Sequence, residues 1–132
     1  MAMIKKMKIM SENAPQPTGP YSQGVKVGPF LFISGQDGVL PNGEIAGDSL
    51  AEQTKACLRN IESILHEAGA TLENLVHMTC HLSILTEENV SAFNQAYSAY
   101  FKNIEIKPTR ITVGSDLLDT DIEITAVAYI NK

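Results

Sequence analysis

Two stretches of the chain repeat apolar residues at helical spacing, and several shorter ones alternate apolar with polar. Leu50, Thr54, Cys57, Leu58, Ile61 and Leu65 follow the three-and-four spacing of one helical face. Ser49 and Glu52 precede that run in an S-x-x-E arrangement, in which hydroxyl and carboxylate satisfy the opening N–H groups. Gly69 stands where left-handed backbone ends a helix, so the spacing predicts a helix over about 49–68. A second helix is predicted from Thr86, an N-cap followed by Glu87 and Glu88 at the positive end of the helix dipole. Val90, Phe93, Tyr97, Tyr100 and Phe101 carry its apolar stripe, and Pro108 bars its continuation.

Strands are read from period-two alternation. Ile4, Met7 and Ile9 suggest a first strand over 4–10, and VKVGPFLFIS over 25–34 reads as a hairpin turning at Gly28-Pro29 and ending at Ser34-Gly35. Over 75–84, Val76, Met78, Cys80, Leu82 and Ile84 are expected on one face, with His77, Thr79, His81 and Ser83 on the other. Arg110 to Val113 begins another strand, and 121–130 is the last, with Ile122, Ile124, Ala126, Ala128 and Ile130 inward. Between these lie ENAPQPTGPYSQG, whose prolines exclude regular structure, and DGVLPNGEIAG with its Asn42-Gly43 turn signal.

The predicted architecture is α+β: one domain over residues 1–132, with a mixed sheet and two helices on one face. The sheet's other face is expected to carry Thr79, His81, Arg110, Thr112, Glu123, Thr125, Val127 and Tyr129. That mixture is neither core nor water-facing surface, and it suits burial against other copies of the chain.

Charge and composition narrow the partners. Net charge is -5, and Lys5, Lys6 and Lys8 form the one close basic cluster, which argues against nucleic acid. No segment approaches the roughly 20 apolar residues of a membrane span, and MAMIKKMKIM is too polar for a secretory signal. Met1 to Met3 read as an adventitious extension. Cys57 and Cys80 fall on apolar faces as two buried thiols of a reducing cytoplasm.

Several active-site chemistries fail on spacing. His77 and His81 on one strand stand about 13 Å apart, too far to share a metal ion, and Cys80 points the opposite way; no metal is expected. The glycines form no phosphate loop, and Ser22 and Ser34 lack a nucleophile elbow. Arg110 and Glu123 remain, both expected on the non-helical side of the sheet. They read either as a structural ion pair or solvated charges, or as an arginine gripping a carboxylate beside a glutamate that orients water.

NAPQPTGPYSQG at 13–24, ISGQ at 33–36, NIESILHEAGATLENLV at 60–76, FNQAYSAYF at 93–101, PTR at 108–110 and IEI at 122–124 together resemble the Rid/YjgF imine deaminases, colinearly from about residue 8 onward. The resemblance implies a chorismate-mutase-like subunit and a homotrimer with a central barrel and clefts between subunits. It implies hydrolysis of 2-enamine and 2-imino acids (2-aminoacrylate/2-iminopropanoate and 2-iminobutanoate) to 2-oxo acids and ammonia, with no cofactor. By motif, Arg110 is implied as the carboxylate-binding arginine and Glu123 as the water-positioning carboxylate. Tyr21, Ser34, Gly35 and Asn94 match cleft-lining positions, and the backbone N–H of Thr112 is implied to help hold the carboxylate. Two departures stand out: Ile111 replaces a small residue, and GSDLLDTD is a shorter, more acidic link than usual. The alternatives are a non-catalytic trimer that binds small carboxylates or acts as a chaperone or regulator, and an endoribonuclease or translation inhibitor.

Overall fold

The computed structural model describes residues 4–131, so Met1–Met3 lie outside the described residues. Its strands are β1 (Met7–Ile9), β2 (Gly24–Val27), β3 (Phe30–Asp37), β4 (Leu75–Leu82), β5 (Thr109–Gly114) and β6 (Ile122–Tyr129). The helices are α1 (Leu50–Glu67) and α2 (Glu87–Tyr100). Both halves of the Ser49–Glu52 capping box form, and Gly69 takes a φ of 78° just past α1. Thr86 accepts from the Asn89 N–H at the start of α2. These are the ends that the spacing of hydroxyl, carboxylate and glycine predicts.

The six strands make one sheet in the order β1-β2-β3-β6-β4-β5, antiparallel throughout except for the parallel pair β4/β5. Leu31, Ile33, Met78, Cys80, Leu82, Ile124, Ala126 and Ala128 line its core face. Against them pack Cys57, Leu58, Ile61, Ile64 and Leu65 of α1, with Phe93 and Tyr97 of α2. Each large side chain removed from water contributes roughly 1.5–3 kcal/mol. Among the described residues, no helix is long and apolar enough to cross a membrane.

Two bulges displace the expected alternation. Between Leu75 and His77 one extra residue of β4 faces β6, so Leu75 takes the core position expected of Val76 and Val76 is left exposed. Ile84, also expected inward, lies past the end of β4 and is exposed. The second bulge, between Ile33 and Gln36 on β3, lets that strand run on to Asp37 rather than stop at Ser34-Gly35. It carries Gln36 into the core and Asp37 beside Glu123.

The proline-rich segment before β2 is held from within by one side chain. Gln23 is buried; its amide donates to the carbonyls of Ser11 at 3.1 Å and Pro15 at 2.8 Å. Its oxygen accepts from the Ser11 N–H at 2.6 Å. We expect Gln23→Ala, which strands these buried groups, to lower stability by about 2–4 kcal/mol in urea unfolding. A loss below roughly 0.5 kcal/mol would show that the segment is held elsewhere.

Both cysteines are fully buried and free. Burial pushes the Cys80 thiol up to about 12, against a smaller opposing pull from Arg110, and pushes Cys57 well above its ordinary value. Neither forms a reactive thiolate at neutral pH. Alkylating reagents are therefore expected to label the native protein far more slowly than the urea-unfolded chain; equal rates would contradict this burial.

Candidate active site

Seven residues are implied by the resemblance, and the fold collects them at two separate places. Arg110, Thr112 and Asn94 stand where the β5 edge meets α2. Tyr21, Ser34, Gly35 and Glu123 gather around the β3 bulge.

At the first place, register decides orientation. Met78 pairs with Arg110 and Cys80 with Thr112 across the parallel β4/β5 ladder, and neighbours in such a pair point to the same face. Met78 and Cys80 point into the core, so Arg110 and Thr112 point to the helical side. This corrects the expectation that both share the non-helical face with Glu123; Ile111 and Val113 take that side instead. Alternation couples Arg110 to Thr112, but only pairing with β4 fixes their phase. As the edge strand, β5 is covered on this side by α2 alone, which leaves room for polar residues.

The Arg110 guanidinium rests on two aromatic rings, 4.9 Å from the centroid of Phe93 and 4.8 Å from that of Tyr97. Stacking of this kind steadies a guanidinium while leaving its edge N–H groups available. Tyr97 is fixed in turn by its hydroxyl, which donates to Met78 Sδ at 3.2 Å. Two residues along β5 from Arg110, at Thr112, opens a groove of about 970 Å³ against α2, lined by Leu85, Val90, Ser91 and Asn94 among others. Asn94 Oδ1 and Thr112 Oγ1 are buried without a hydrogen-bond partner. Orphaned polar atoms beside a positioned cation mark a surface built to receive something polar.

At the second place, the Glu123 carboxylate lies directly over Gly35, where any Cβ would overlap it. The bulge and the missing side chain together make room for a charge against the backbone. The Ser34 hydroxyl donates to the Ser22 carbonyl, and the Ser34 N–H to the Gln23 carbonyl at 2.9 Å, which ties the bulge to the proline-rich segment. Tyr21 is half exposed, with its hydroxyl near the Thr18 backbone N–H at 3.3 Å. A groove of about 610 Å³ opens here, bordered by Tyr21, Gly35, Asp37, Leu118 and Asp119. Leu118, in the short link, is 99% exposed.

The two places do not meet within one chain. Arg110 and Glu123 stand on opposite faces of the sheet, two strands apart, with their β4 partners Met78 and His81 offset. That separation is roughly 10 Å across the sheet and roughly 10 Å along it. An ion pair between them within one chain is therefore ruled out. The one ion pair among the described residues is Glu62–His66 on α1.

The histidines have ordinary partners: His77 Nδ1 lies 2.7 Å from Thr109 Oγ1, and His81 Nδ1 2.7 Å from Ser115 Oγ. No metal-holding cluster of three His, Cys, Asp or Glu occurs among the described residues. Residue patterns alone missed the Phe93–Tyr97 platform and Asp37. An aromatic pair four apart on the stripe of α2 signals the first; no local pattern signals the second, because it depends on the bulge.

Over residues 11–130 the chain matches the family described as endoribonuclease L-PSP. A RutC family protein of Pyrococcus abyssi is 44% identical, covering 96% of this chain and 98% of its own. Reactive Intermediate Deaminase A, chloroplastic, of Arabidopsis thaliana is 32% identical over 95% of this chain and 66% of its own. Among solved structures, the YjgF gene product of E. coli aligns with a TM-score of 0.86 at 34% identity, covering 93% of this chain and 98% of that one. E. coli TdcF with bound serine aligns with a TM-score of 0.86 at 32% identity and the same coverage. With the sheet order, the two helices and the colinear motifs all in agreement, this chain belongs to the Rid/YjgF family, also described as endoribonuclease L-PSP.

Proposed function

We propose that this chain hydrolyses 2-imino acids and their 2-enamine tautomers to 2-oxo acids and ammonia, in homotrimers whose sites form between subunits. The observation that carries this reading is the division of the candidate residues into two prepared, incomplete halves. One half holds a guanidinium on an aromatic platform beside orphaned polar atoms. The other holds a carboxylate over a bare backbone. Each lacks what the other has, and a neighbouring copy is the simplest source. A relative named Reactive Intermediate Deaminase A supports the same chemistry.

In this reading Arg110 grips the substrate carboxylate through two parallel hydrogen bonds, a geometry that lysine cannot reproduce. Asn94 and the Thr112 backbone complete the grip. Tyr21, Ser34 and Gly35 line the opposite wall, supplied by the next subunit. A protonated imine is already electrophilic at C2, so the protein has mainly to hold it and aim a water. Glu123 accepts a proton as the water oxygen bonds to C2 and the C=N electron pair moves to nitrogen. The resulting carbinolamine takes that proton on nitrogen, the C–N bond breaks, and the hydroxyl proton is released as the carbonyl forms. Water and iminium become 2-oxo acid and ammonium, and Glu123 ends ionised as it began. The scheme calls for no metal or organic cofactor.

A second reading, a carboxylate-binding trimer without catalysis, draws on the bound serine in the TdcF structure. Coupling a serine or threonine dehydratase to ammonia release separates the two: accelerated release supports the deaminase, and binding without acceleration supports the second reading. An endoribonuclease finds little support in a chain of net charge -5.

Loss of a charge partner of this kind costs about 2–5 kcal/mol, or roughly 30- to several-thousand-fold in rate. Arg110→Lys is therefore expected to lose most imine hydrolysis while staying folded and trimeric, with Arg110→Ala worse. Glu123→Gln should lower turnover more than substrate affinity. Because Arg110 and Glu123 of one site come from different subunits, the two inactive variants should rescue each other. Random mixing of Arg110→Ala and Glu123→Gln subunits restores about a quarter of the sites. Absence of any rescue in verified mixed trimers, or a folded Arg110→Ala protein with native activity, would refute the shared site.

A further inference from the structure

Glu123 stands between two other titratable side chains, each on an adjacent strand. Asp37 of β3 is its direct partner on one side, and His81 of β4 on the other. Directly opposed residues of antiparallel strands hold their Cβ atoms about 4.5–5.5 Å apart on one face. Asp37, Glu123 and His81 thus form a row across three strands on the non-helical face. Motif matching to the family implies neither flanking residue.

Each member is held. Gly35 leaves the Glu123 carboxylate pressed against backbone. Ser115 Oγ lies 2.7 Å from His81 Nδ1. Asp37 borders the groove beside Gly35 and Asp119. Burial first, then Glu123, then Asp119, push its carboxyl up to about 6. From α1 the titratable neighbour is Cys57, whose buried thiol stays protonated. Arg110 lies on the other face and offers no counter-charge within the chain. Between the ordinary 3.8 and about 6, the folded protein keeps a proton that the unfolded chain has lost. Stability contributed there falls as pH rises through that window, so ionised Asp37 weakens the fold at neutral pH. A group that costs stability beside a candidate catalytic carboxylate is better suited to chemistry than to packing.

We propose that Asp37 and His81 are positioning residues that set when Glu123 carries a proton, Asp37 by repelling its negative charge and His81, when protonated, by attracting it. The purpose of this control rests on the deaminase reading; its existence rests only on the register of three strands. A carboxylate that must take a proton from water and return it to the leaving nitrogen works best when neither form is greatly favoured. Two flanks of opposite effect adjust that balance without touching the substrate.

The test follows the Glu123 carboxyl by carbon-13 NMR through a pH titration of the full-length native protein, Asp37→Asn and His81→Gln. The pH dependence of kcat/KM is measured in parallel. Asp37→Asn is expected to move the Glu123 midpoint, and the acid limb of the rate profile, to lower pH. His81→Gln is expected to move both to higher pH. Asp37→Asn should also raise the melting temperature at pH 7 and leave it unchanged near pH 4. A purely structural role would change melting without displacing the midpoint. An unmoved midpoint in either variant, or movement in the same direction in both, overturns the role of the residue concerned. If the midpoints move as expected while the native protein releases no ammonia from imines, the row stands and the deaminase reading falls.

Discussion

Parallel pairing of β5 with β4, Met78 beside Arg110, determines what each face of this sheet can do. It takes a charged residue out of phase with the polar face and places it in phase with the core. Because β5 is the edge strand, that charge meets the Phe93 and Tyr97 rings of α2 rather than close-packed aliphatic side chains. A slip of one residue would bury Ile111 under α2 and send Arg110 to the far face among the threonines. The groove, its orphaned polar atoms and the separation from Glu123 all follow from this one register. Antiparallel pairing of β4 with β6 does the converse for Glu123, aligning it with His81 on the opposite side.

Much of this was legible in the residues. Capping chemistry marked the ends of both helices, because Ser49, Glu52, Gly69 and Thr86 act on their nearest neighbours. The polar faces of β4 and β6 followed from alternation, apart from Val76, which a bulge turned outward. What remained out of reach was relational. Whether Arg110 points up or down is decided by a partner strand some thirty residues earlier in the chain. Asp37 reads as the start of a turn until the extra residue at Ser34-Gly35 extends β3 past it. Gly35 was implied as a cleft residue, yet what its missing side chain makes room for, the Glu123 carboxylate, comes from a strand far along the chain. Local interactions write themselves into short windows of sequence, and strand register does not.

The two halves are built by different means. Arg110 is exposed, and its stacking on two rings restricts a long flexible side chain before any ligand arrives. That lowers the entropy lost when its N–H groups are engaged. Glu123 instead lies against a bulged backbone, in the space that the absent Gly35 side chain leaves. One place is thus prepared by attraction to a π-surface and the other by a side chain left out. Both preparations belong to the chain itself and need no second copy.

Leu118 bears on how such a protein changes over time. The link that carries it is anchored nearby: Thr120 Oγ1 accepts from the Gly38 N–H, and the Asp121 N–H donates to Gln53. Leu118 itself buries almost nothing, yet it borders the groove beside Gly35. Exchanging it leaves folding stability close to where it was, so mutations there pass the threshold that removes most core changes. A lineage can therefore drift at this position and reshape the rim of its groove, with no compensating change anywhere in the core.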